Sequence, residues 1–485
     1  MLKRLPLSFL AFAALLWLGL TSACRKEAID RNSNSKLSFS QDTVLFDTVF
    51  TTVGSTTQWM LVRNNNSKKL VISSIRLAGG VNSNFRINVN GQPGKAFTDV
   101  EIAAKDSMFI FVEVTIDPNR GTTPLIVTDS IVFETNGNIQ DVKLVAWGQD
   151  AYFHTPVKGS FLSPLRSCTE VWNKDKPHVI YGYFFVDSAC SLTINPGTKV
   201  YIHGGSGMIV YKDASLIVNG TAADPVIIQG DRLESSYAET PGQWDRIWFY
   251  AGSINNRINH AQIINGNVGL QCDTVGNSLN PTLTITNSIV RNMTGAGLYA
   301  QDSKVEAVNT VFANCGIHCV LLSIGGDYSF RHCTLGDWWT GAERKTPLLG
   351  INNYYEDVNS NIQTRALTRA YFGNCIIYGN LKKEIGFDYD ERADFNYQFD
   401  YCLFKTDSAL DSQRSRFPSK FNGNVLNVNP LFTDTTKHTL TLQDGSPAID
   451  AGALSVTQLS PAISLDIEDH PRVGGSAPDL GAYEK

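Results

Sequence analysis

From Asn259 to Thr406 the chain repeats one short pattern of apolar and polar positions. The copies read "NHAQIIN" from Asn259, "TNSIVRN" from Thr286, "VNTVFAN" from Val308, "RHCTLGD" from Arg331, "GNCIIYG" from Gly373 and "DYCLFKT" from Asp400. Stacked, they give one column of small residues: Ala261, Ser288, Thr310, Cys333, Cys375 and Cys402. Two places on stands a column of large apolar residues: Ile263, Val290, Phe312, Leu335, Ile377 and Phe404. The column between is mixed: Gln262, Ile289, Val311, Thr334, Ile376 and Leu403. An inward period of two predicts a strand in each copy.

Three places before the small column lies a further apolar set: Ile258, Ile285, Ala307, Phe330, Phe372 and Phe399. Three is odd, so one straight strand cannot turn both sets inward, and the chain must bend between them. At the other end Asn265, Asn292, Asn314 and Asp337 align, and Asn and Asp tolerate the left-handed backbone of a tight corner. Each copy therefore predicts a strand, a corner, a second strand and another corner. The small column advances in steps of 22, 23 and 27 residues, with one step of 42 from Cys333 to Cys375 that predicts an excursion from one coil. Such periods signal a solenoid, and the strand pattern disfavours helical repeats. The expected fold over residues 165–435 is a right-handed parallel β-helix of about eight coils, a rod roughly 40 Å long. Cys333, Cys375 and Cys402 are expected to be inert thiols in a column that wants a small, fairly apolar side chain. In-register stacking is expected to suit disulfides poorly. "CSLTINPGTKVYIHGGSGMIVYKDASLIVNGTAADPVIIQGD" (190–231) resembles the first full coils of bacterial β-helix proteins, and "GQWDRIWFYAG" (242–252) reads as the next strand.

Before the repeats the period changes. Residues 37–150 carry about seven short alternating runs, among them "TVLFDTVFTTV", "QWMLVRN" and "MFIFVEVTID", parted by turn residues such as Asn136–Gly137. This predicts an antiparallel β-sandwich. "DTVFTTVGSTTQ" and "DVKLVAWGQDA" resemble the immunoglobulin-like modules near the N-termini of Bacteroidetes surface lipoproteins, which implies a spacer. The fold class expected for the chain is thus all-β, an immunoglobulin-like β-sandwich followed by a right-handed parallel β-helix.

Residues 1–24 read as a targeting segment: Lys3 and Arg4, then the apolar run "LSFLAFAALLWLGL", then "TSAC" ending in Cys24. The run is short for a membrane span. "TSAC" resembles the lipobox of bacterial lipoproteins, with Thr21 where Leu is usual. The resemblance implies acylation of Cys24 and a membrane as partner through that lipid, at the outer membrane or cell surface. Several acyl chains give stable anchoring. Residues 25–36, "RKEAIDRNSNSK", read as a flexible tether. A net charge of −5 with no basic stripe gives no support for nucleic acid as a partner. Hydrophobic content of 42% excludes general disorder. With Cys24 acylated, eight cysteines are left, and their spacing does not look like a disulfide framework.

The tail carries "NPLFTD", "LQDGSPAIDAG" (442–452) and "DIEDHPRVGGSAPDLGAYEK" (466–485). It resembles the choice-of-anchor segment of bacterial secreted and surface β-helix proteins, usually D-x-D-G-x-P-R before D-I-G-A-Y-E. Glu468, Asp469 and His470 depart from that form, while Pro471, Arg472, Asp479, Gly481, Ala482, Tyr483 and Glu484 match. The segment 436–485 is expected to cap the exposed last coil. Asp450 and Asp479 are expected to stabilise turns, with Arg472 paired to either, rather than to act as a catalytic carboxylate pair.

The long step after Cys333 is the expected place for function. It supplies Asp337, Trp338, Trp339, Glu343, Arg344 and Lys345, then Tyr354, Tyr355, Glu356 and Asp357, and afterwards Asp388, Asp390, Glu391, Arg392 and Asp394. Aromatic faces beside carboxylates are what a sugar-binding groove uses. Solvated charges around a packed loop base are the alternative. "DYDERAD" lacks the Gly of an EF-hand loop, and "NCGIHC" lacks a second ligand pair beside Cys315, His318 and Cys319, so no metal or other cofactor is expected. The expected function is an exported envelope protein whose β-helix binds glycan or another surface component without catalysis. The alternatives are a polysaccharide lyase or glycoside hydrolase, and a purely structural surface protein.

Overall fold

In a computed structural model of the protein, residues 28–50, 54–116, 125–274, 280–437 and 439–485 are described. Cys24 and the targeting segment lie outside the described residues. The chain forms two compact units, residues 1–150 and 151–485.

The first unit is an immunoglobulin-like β-sandwich of two five-stranded sheets. Its pairs are antiparallel except Thr43–Phe50, which runs parallel to Asn138–Gln149. Alternating residues such as Met60, Val62, Ile72, Phe85, Ile110, Val112, Phe133 and Leu144 fill the space between the sheets. Part of the expected flexible tether is docked here instead. Asp30 donates its N–H to Lys69, and Asn136 and Asn138 donate side-chain N–H groups to the carbonyls of Asn32 and Ser33. Polar side chains hold this strip, which is why it shows no apolar period.

The second unit is a right-handed parallel β-helix with three strands per coil. Sheet 1 has eleven strands, from Tyr152–His154 to Val425–Leu426. Sheet 2 has nine, from Leu162–Pro164 to Ile385–Asp388, and sheet 3 has ten, from Thr169–Trp172 to Phe421–Asn422. Eleven coil levels exceed the eight expected and give a rod of about 50 Å. The first coils start at Tyr152 rather than 165. Bulky Trp172, stacked on His154, and Phe184, edge-on to both, fill their core, so the small and large columns are not yet present. From Ala261 on the columns are in register, Ile263 beside Val290, then Phe312, Leu335, Ile377 and Phe404. The further apolar set aligns likewise in sheet 3, from Ile258 to Phe399.

The odd offset of three is met by one left-handed residue immediately before each small residue. His260, Asn287, Asn309, His332, Asn374 and Tyr401 have φ from 45° to 53°. At the next corner Asn265, Asn292 and Asn314 are left-handed too, and their amides form a ladder, 2.6 and 2.9 Å per step. Asp337, aligned with them, is not left-handed; it ends its strand in extended form.

The small column carries a hydrogen-bond role that smallness alone does not explain. Ser288, Thr310, Cys333, Cys375 and Cys402 each donate from Oγ or Sγ to the carbonyl two residues back, that of Thr286, Val308, Arg331, Gly373 and Asp400. Ser288 and Cys375 also accept from the backbone N–H of Ala261 and Cys333 one coil earlier. Each of these carbonyls also accepts the backbone N–H of the preceding coil's corner residue, so the short side chain adds a second donor at the corner. Burial pushes the Cys333 and Cys375 thiols well above their ordinary value, which keeps them unreactive.

One cysteine expectation is corrected. Cys168 and Cys190, on successive coils, form a disulfide with Cα atoms 4.6 Å apart. The coil rise itself falls within the Cα separation a disulfide accepts, so stacking permits a bridge where side chains leave the wall at a corner.

The C-terminal segment does not cap the last coil. It runs along the outer face of sheet 1. Phe432, Leu440, Leu442, Ala448, Ile467, Leu480 and Ala482 pack on outward Val311, Ala313, Ile376 and Leu403. The mixed column is therefore mostly apolar where this segment covers it; Thr334, the polar member there, bonds to the segment's backbone. Within the last coil, between Leu403–Phe404 and Phe421–Asn422, Leu410 of the helix Ser408–Arg416 joins the solenoid core. The expected turn role of Asp450 and Asp479 is seen: Asp450 Oδ1 accepts the N–H groups of Ser476 and Ala477, and Asp479 accepts those of Asp450 and Lys485. Arg472 pairs with neither. It donates to Asn309 Oδ1 at 2.7 Å and to the Ala482 carbonyl at 2.8 Å, and lies 3.4 Å from Glu484.

The donor role predicts a graded response at Cys375. Cys375→Ser should keep wild-type stability to within about 1 kcal/mol. Cys375→Ala should lose about 1 kcal/mol more than Ser does, and Cys375→Leu about 1–3 kcal/mol through overpacking. Chemical denaturation of the three variants checks the order; equal stability of Ala and Ser would remove the hydrogen-bond role.

Candidate functional site

Sheet 2 presents its outer face differently from sheet 1. Inward Phe184, Val186, Met208, Val210, Ile247, Phe249, Leu270 and Leu298 are fully buried. Alternation then turns Tyr183, Phe185, Ile209, Trp248, Gln271 and Tyr299 outward. Register sets Ile209 beside Trp248, Trp248 beside Gln271 and Gln271 beside Tyr299. A register shift falls between Arg246 and Ile247, and there both Asp245 and Arg246 leave the core side. Bulges of this kind re-aim side chains next to working surfaces.

The outward groups form one connected chain. Asp245 accepts from the Tyr183 hydroxyl and from Arg246 Nε at 2.9 Å. Arg246 Nη1 donates to Gln271 Oε1, and Gln271 Nε2 donates to Asp273 Oδ1 at 3.0 Å. Trp248 Nε1 donates to Asp273 Oδ2 at 2.7 Å. Beside this chain run aromatic rings in contact: Phe185 with Tyr211 at 5.5 Å, Tyr211 with Tyr250 at 5.1 Å, and Tyr250 with Trp248 at 5.5 Å between centroids. Tyr211 and Tyr250 are 36% and 37% exposed, enough to offer a ring face to a ligand.

Partial burial pushes the Asp245 carboxyl up, but its bonds to Arg246 and Tyr183 outweigh this and hold it below its ordinary value. Partial burial, with the bond to Asp245, pushes Tyr183 up to about 12. At neutral pH the pair is therefore a carboxylate and a neutral phenol. A general acid for glycoside cleavage needs a carboxyl raised toward neutrality, and Asp245 is tuned the other way.

The residues expected to line a groove fall into separate groups. Asp337 and Arg344 are buried, not groove-lining: Arg344 makes two 2.8 Å bonds to buried Glu384 and lies 3.5 Å from Asp337. Asp337 also accepts the Trp339 N–H at 2.9 Å. Trp338 packs edge-on against Phe432 at 5.7 Å, and Trp339 lies over Gly316 and Gly341, as loop-base packing requires. Glu343 and Lys345 are exposed on that loop. Farther along, Tyr354 donates to exposed Asp388 at 2.8 Å, and the Arg365 guanidinium lies over the Tyr355 ring. Asp390 is held by Arg392, which lowers its carboxyl to about 2; Glu391 is exposed beside it. Cys315 and Cys319 point into the core, where Cys319 donates to Asp337, while His318 Nδ1 meets the Pro347 carbonyl. The 42-residue step holds two excursions: a loop over 338–348 and the hairpin Tyr354–Glu356 with Ile362–Thr364.

Sequence reasoning passes over the sheet 2 face. Its signal is the strand "WDRIWFY" itself, in which Asp, Arg, Trp and Tyr interleave with inward residues.

No protein-family model matches the chain, and no curated protein does. Among solved structures, pectate lyase Pel9A is similar at 13% identity and a TM-score of 0.27, over 69% of this chain and 88% of that one. The catalytic unit of a GH87 α-1,3-glucanase from Streptomyces thermodiastaticus is similar at 10% identity and a TM-score of 0.22, over 76% and 89%. A family 123 glycoside hydrolase from Clostridium perfringens is similar at 10% identity and a TM-score of 0.19 over 29% of this chain; the match spans 30% of that protein's length. Identities this low give no residue-to-residue correspondence.

The buried ion group predicts a pH dependence. Burial, only partly offset by Arg344, pushes Asp337 from 3.8 up to about 6. The folded state therefore holds this proton more tightly than the unfolded chain. The stability it contributes is full below about pH 4 and is lost as pH rises toward 6. Asp337→Asn should gain stability relative to wild type across that window, by about 3 kcal/mol, the linkage cost of a carboxyl displaced that far. Denaturation curves at pH 4 and pH 7 measure it; a difference that does not change with pH would assign the proton elsewhere.

Proposed function

We propose that the protein is an exported, lipid-anchored envelope protein that binds polysaccharide, without cleaving it, on the outer face of sheet 2. The observation that carries this reading is the line of rings, exposed Tyr211 and Tyr250 between half-buried Phe185 and Trp248, beside the fixed polar chain from Tyr183 to Asp273. Flat ring faces stack on the C–H faces of sugars, and pre-bonded carboxylates, amide and guanidinium orient hydroxyls. The face is long and continuous, which suits a polymer rather than a small molecule. Asp245, held as carboxylate, supports binding over hydrolysis. The apolar run before "TSAC" supports export with Cys24 acylated, and the Cys168–Cys190 disulfide accords with an oxidising compartment.

A second reading, cleavage, draws on the presence of Asp245 and Asp273 on one face with Arg246 between them. Incubation with a polysaccharide panel separates the two. Retention on one polysaccharide with no new reducing ends and no unsaturated products is expected; product formation would replace binding with catalysis. Trp248→Ala and Tyr250→Ala should each weaken retention roughly tenfold, about the worth of a stacked ring, with the melting temperature little changed. Undiminished retention in both would move the binding surface elsewhere. Cys24→Ala should shift the protein from the membrane to the soluble fraction, and unchanged fractionation would count against the lipid anchor.

A further inference from the structure

We propose that a second ligand pocket, separate from the sheet 2 face, lies where the C-terminal segment stops covering sheet 1, and that it takes a single neutral sugar unit. The corner column explains why the pocket exists. At three successive coils the C-terminal segment supplies a partner to the left-handed corner residue. Asn309 donates to the Leu465 carbonyl at 2.8 Å and accepts from Arg472. His332 meets Thr457 Oγ1 at 2.9 Å. Asn374 exchanges bonds with the backbone of Ala453, 3.0 and 2.8 Å. His260 holds the same place in the column, also left-handed at φ 45°, yet neither of its ring nitrogens has a hydrogen-bond partner. Its side chain is 90% buried, by the 10% exposure that remains. The nearest charged group is Asp469, whose Oδ1 lies 3.7 Å from Nε2, beyond hydrogen-bond reach. Asp469 is itself left-handed, φ 65°.

The cavity measures about 420 Å³, and its lining includes His260, Gln262, Ile289, Glu468, His470 and Tyr483. This volume suits one or two sugar rings. Ile289 and the Tyr483 ring offer apolar surface to a C–H face. The Gln262 amide and the Glu468 carboxylate offer both donors and acceptors to vicinal hydroxyls, and the His260 ring forms the buried floor beside them. Anionic units are disfavoured: Glu468 and Asp469 are acidic, and Arg291, on the strand of Ile289, is tied to Glu239 at 2.9 Å. Among the described residues no three His, Cys, Asp or Glu side chains are arranged to hold a metal ion, so the buried imidazole is not assigned to one.

The test uses the full mature chain and titration calorimetry, with saturation-transfer NMR, against D-glucose, D-galactose, D-mannose, N-acetyl-D-glucosamine, D-galacturonate and spermidine. One neutral sugar should bind saturably. Gln262→Leu and Glu468→Gln, both at the pocket rim, should each weaken it about tenfold, as loss of a hydrogen bond to a buried hydroxyl does, with melting curves unchanged. Trp248→Ala should leave it unaltered, so failure here and failure of the sheet 2 reading are distinct results. No binding by any neutral sugar, binding insensitive to both rim variants, or binding of galacturonate or spermidine alone would overturn the proposal.

Discussion

The solenoid depends on one backbone conformation, the left-handed residue at the corner between sheet 3 and sheet 1. Without it the inward sets on either side, three residues apart, could not both reach the core. A non-glycine residue resists that conformation, and Asn resists it least. Asn holds the corner in three coils, His in two and Tyr in one. At the same bend the carbonyl before the corner residue accepts an N–H from the preceding coil, and the residue after the corner brings it a second donor. Ser, Thr and Cys do so with one short donor, which is why chemically different residues share a column. Packing and hydrogen bonding thus select the same side-chain size at one point.

The corner column is also the rail on which the C-terminal segment runs. Asn309, His332 and Asn374 each give it a hydrogen bond, and Thr334 Oγ1 accepts the N–H of Ala482 at 2.9 Å. Apolar contact with Val311, Ile376 and Leu403 supplies the burial that such polar contacts alone do not. The result divides the labour of the outer faces. Sheet 1 is covered, so its outward column became apolar. Sheet 2 keeps rings and charges outward, in a bonded array.

Legibility in the sequence follows the strength of local constraint. The columns from Ala261 to Phe404 are readable because each coil repeats the same steric demand. The first coils are not, because Trp172, His154 and Phe184 fill the core by aromatic stacking, which has no fixed period. The third strand of each coil escapes because its inward residues, such as Leu270 and Leu298, lie beyond the second corner at variable distance. The mixed column looks indifferent in sequence, since its apolar members are explained by a segment up to about 170 residues away in the chain. Asp337 and Arg344 stand out in sequence as charged residues near tryptophans. Sequence gives no burial, and burial makes them an internal ion group with Glu384, forty residues on.

The same reasoning decides between the two charged clusters as candidates for function. At Asp337 the charges face one another inside the wall, and burial holds a proton there; a ligand would have to unpack the loop to reach them. At Asp245 and Asp273 the carboxylates are fixed by Tyr183, Arg246, Gln271 and Trp248 but remain at the surface, with exposed rings alongside. The bonds from Arg246 and Tyr183 keep the Asp245 carboxyl ionised and oriented. This excludes Asp245 as the general acid of glycosidic cleavage, while an ionised carboxylate fits both the nucleophile or base of that reaction and the acceptor of a hydroxyl. Of the two clusters, the one on sheet 2 is therefore the one that a ligand could reach without unpacking the wall.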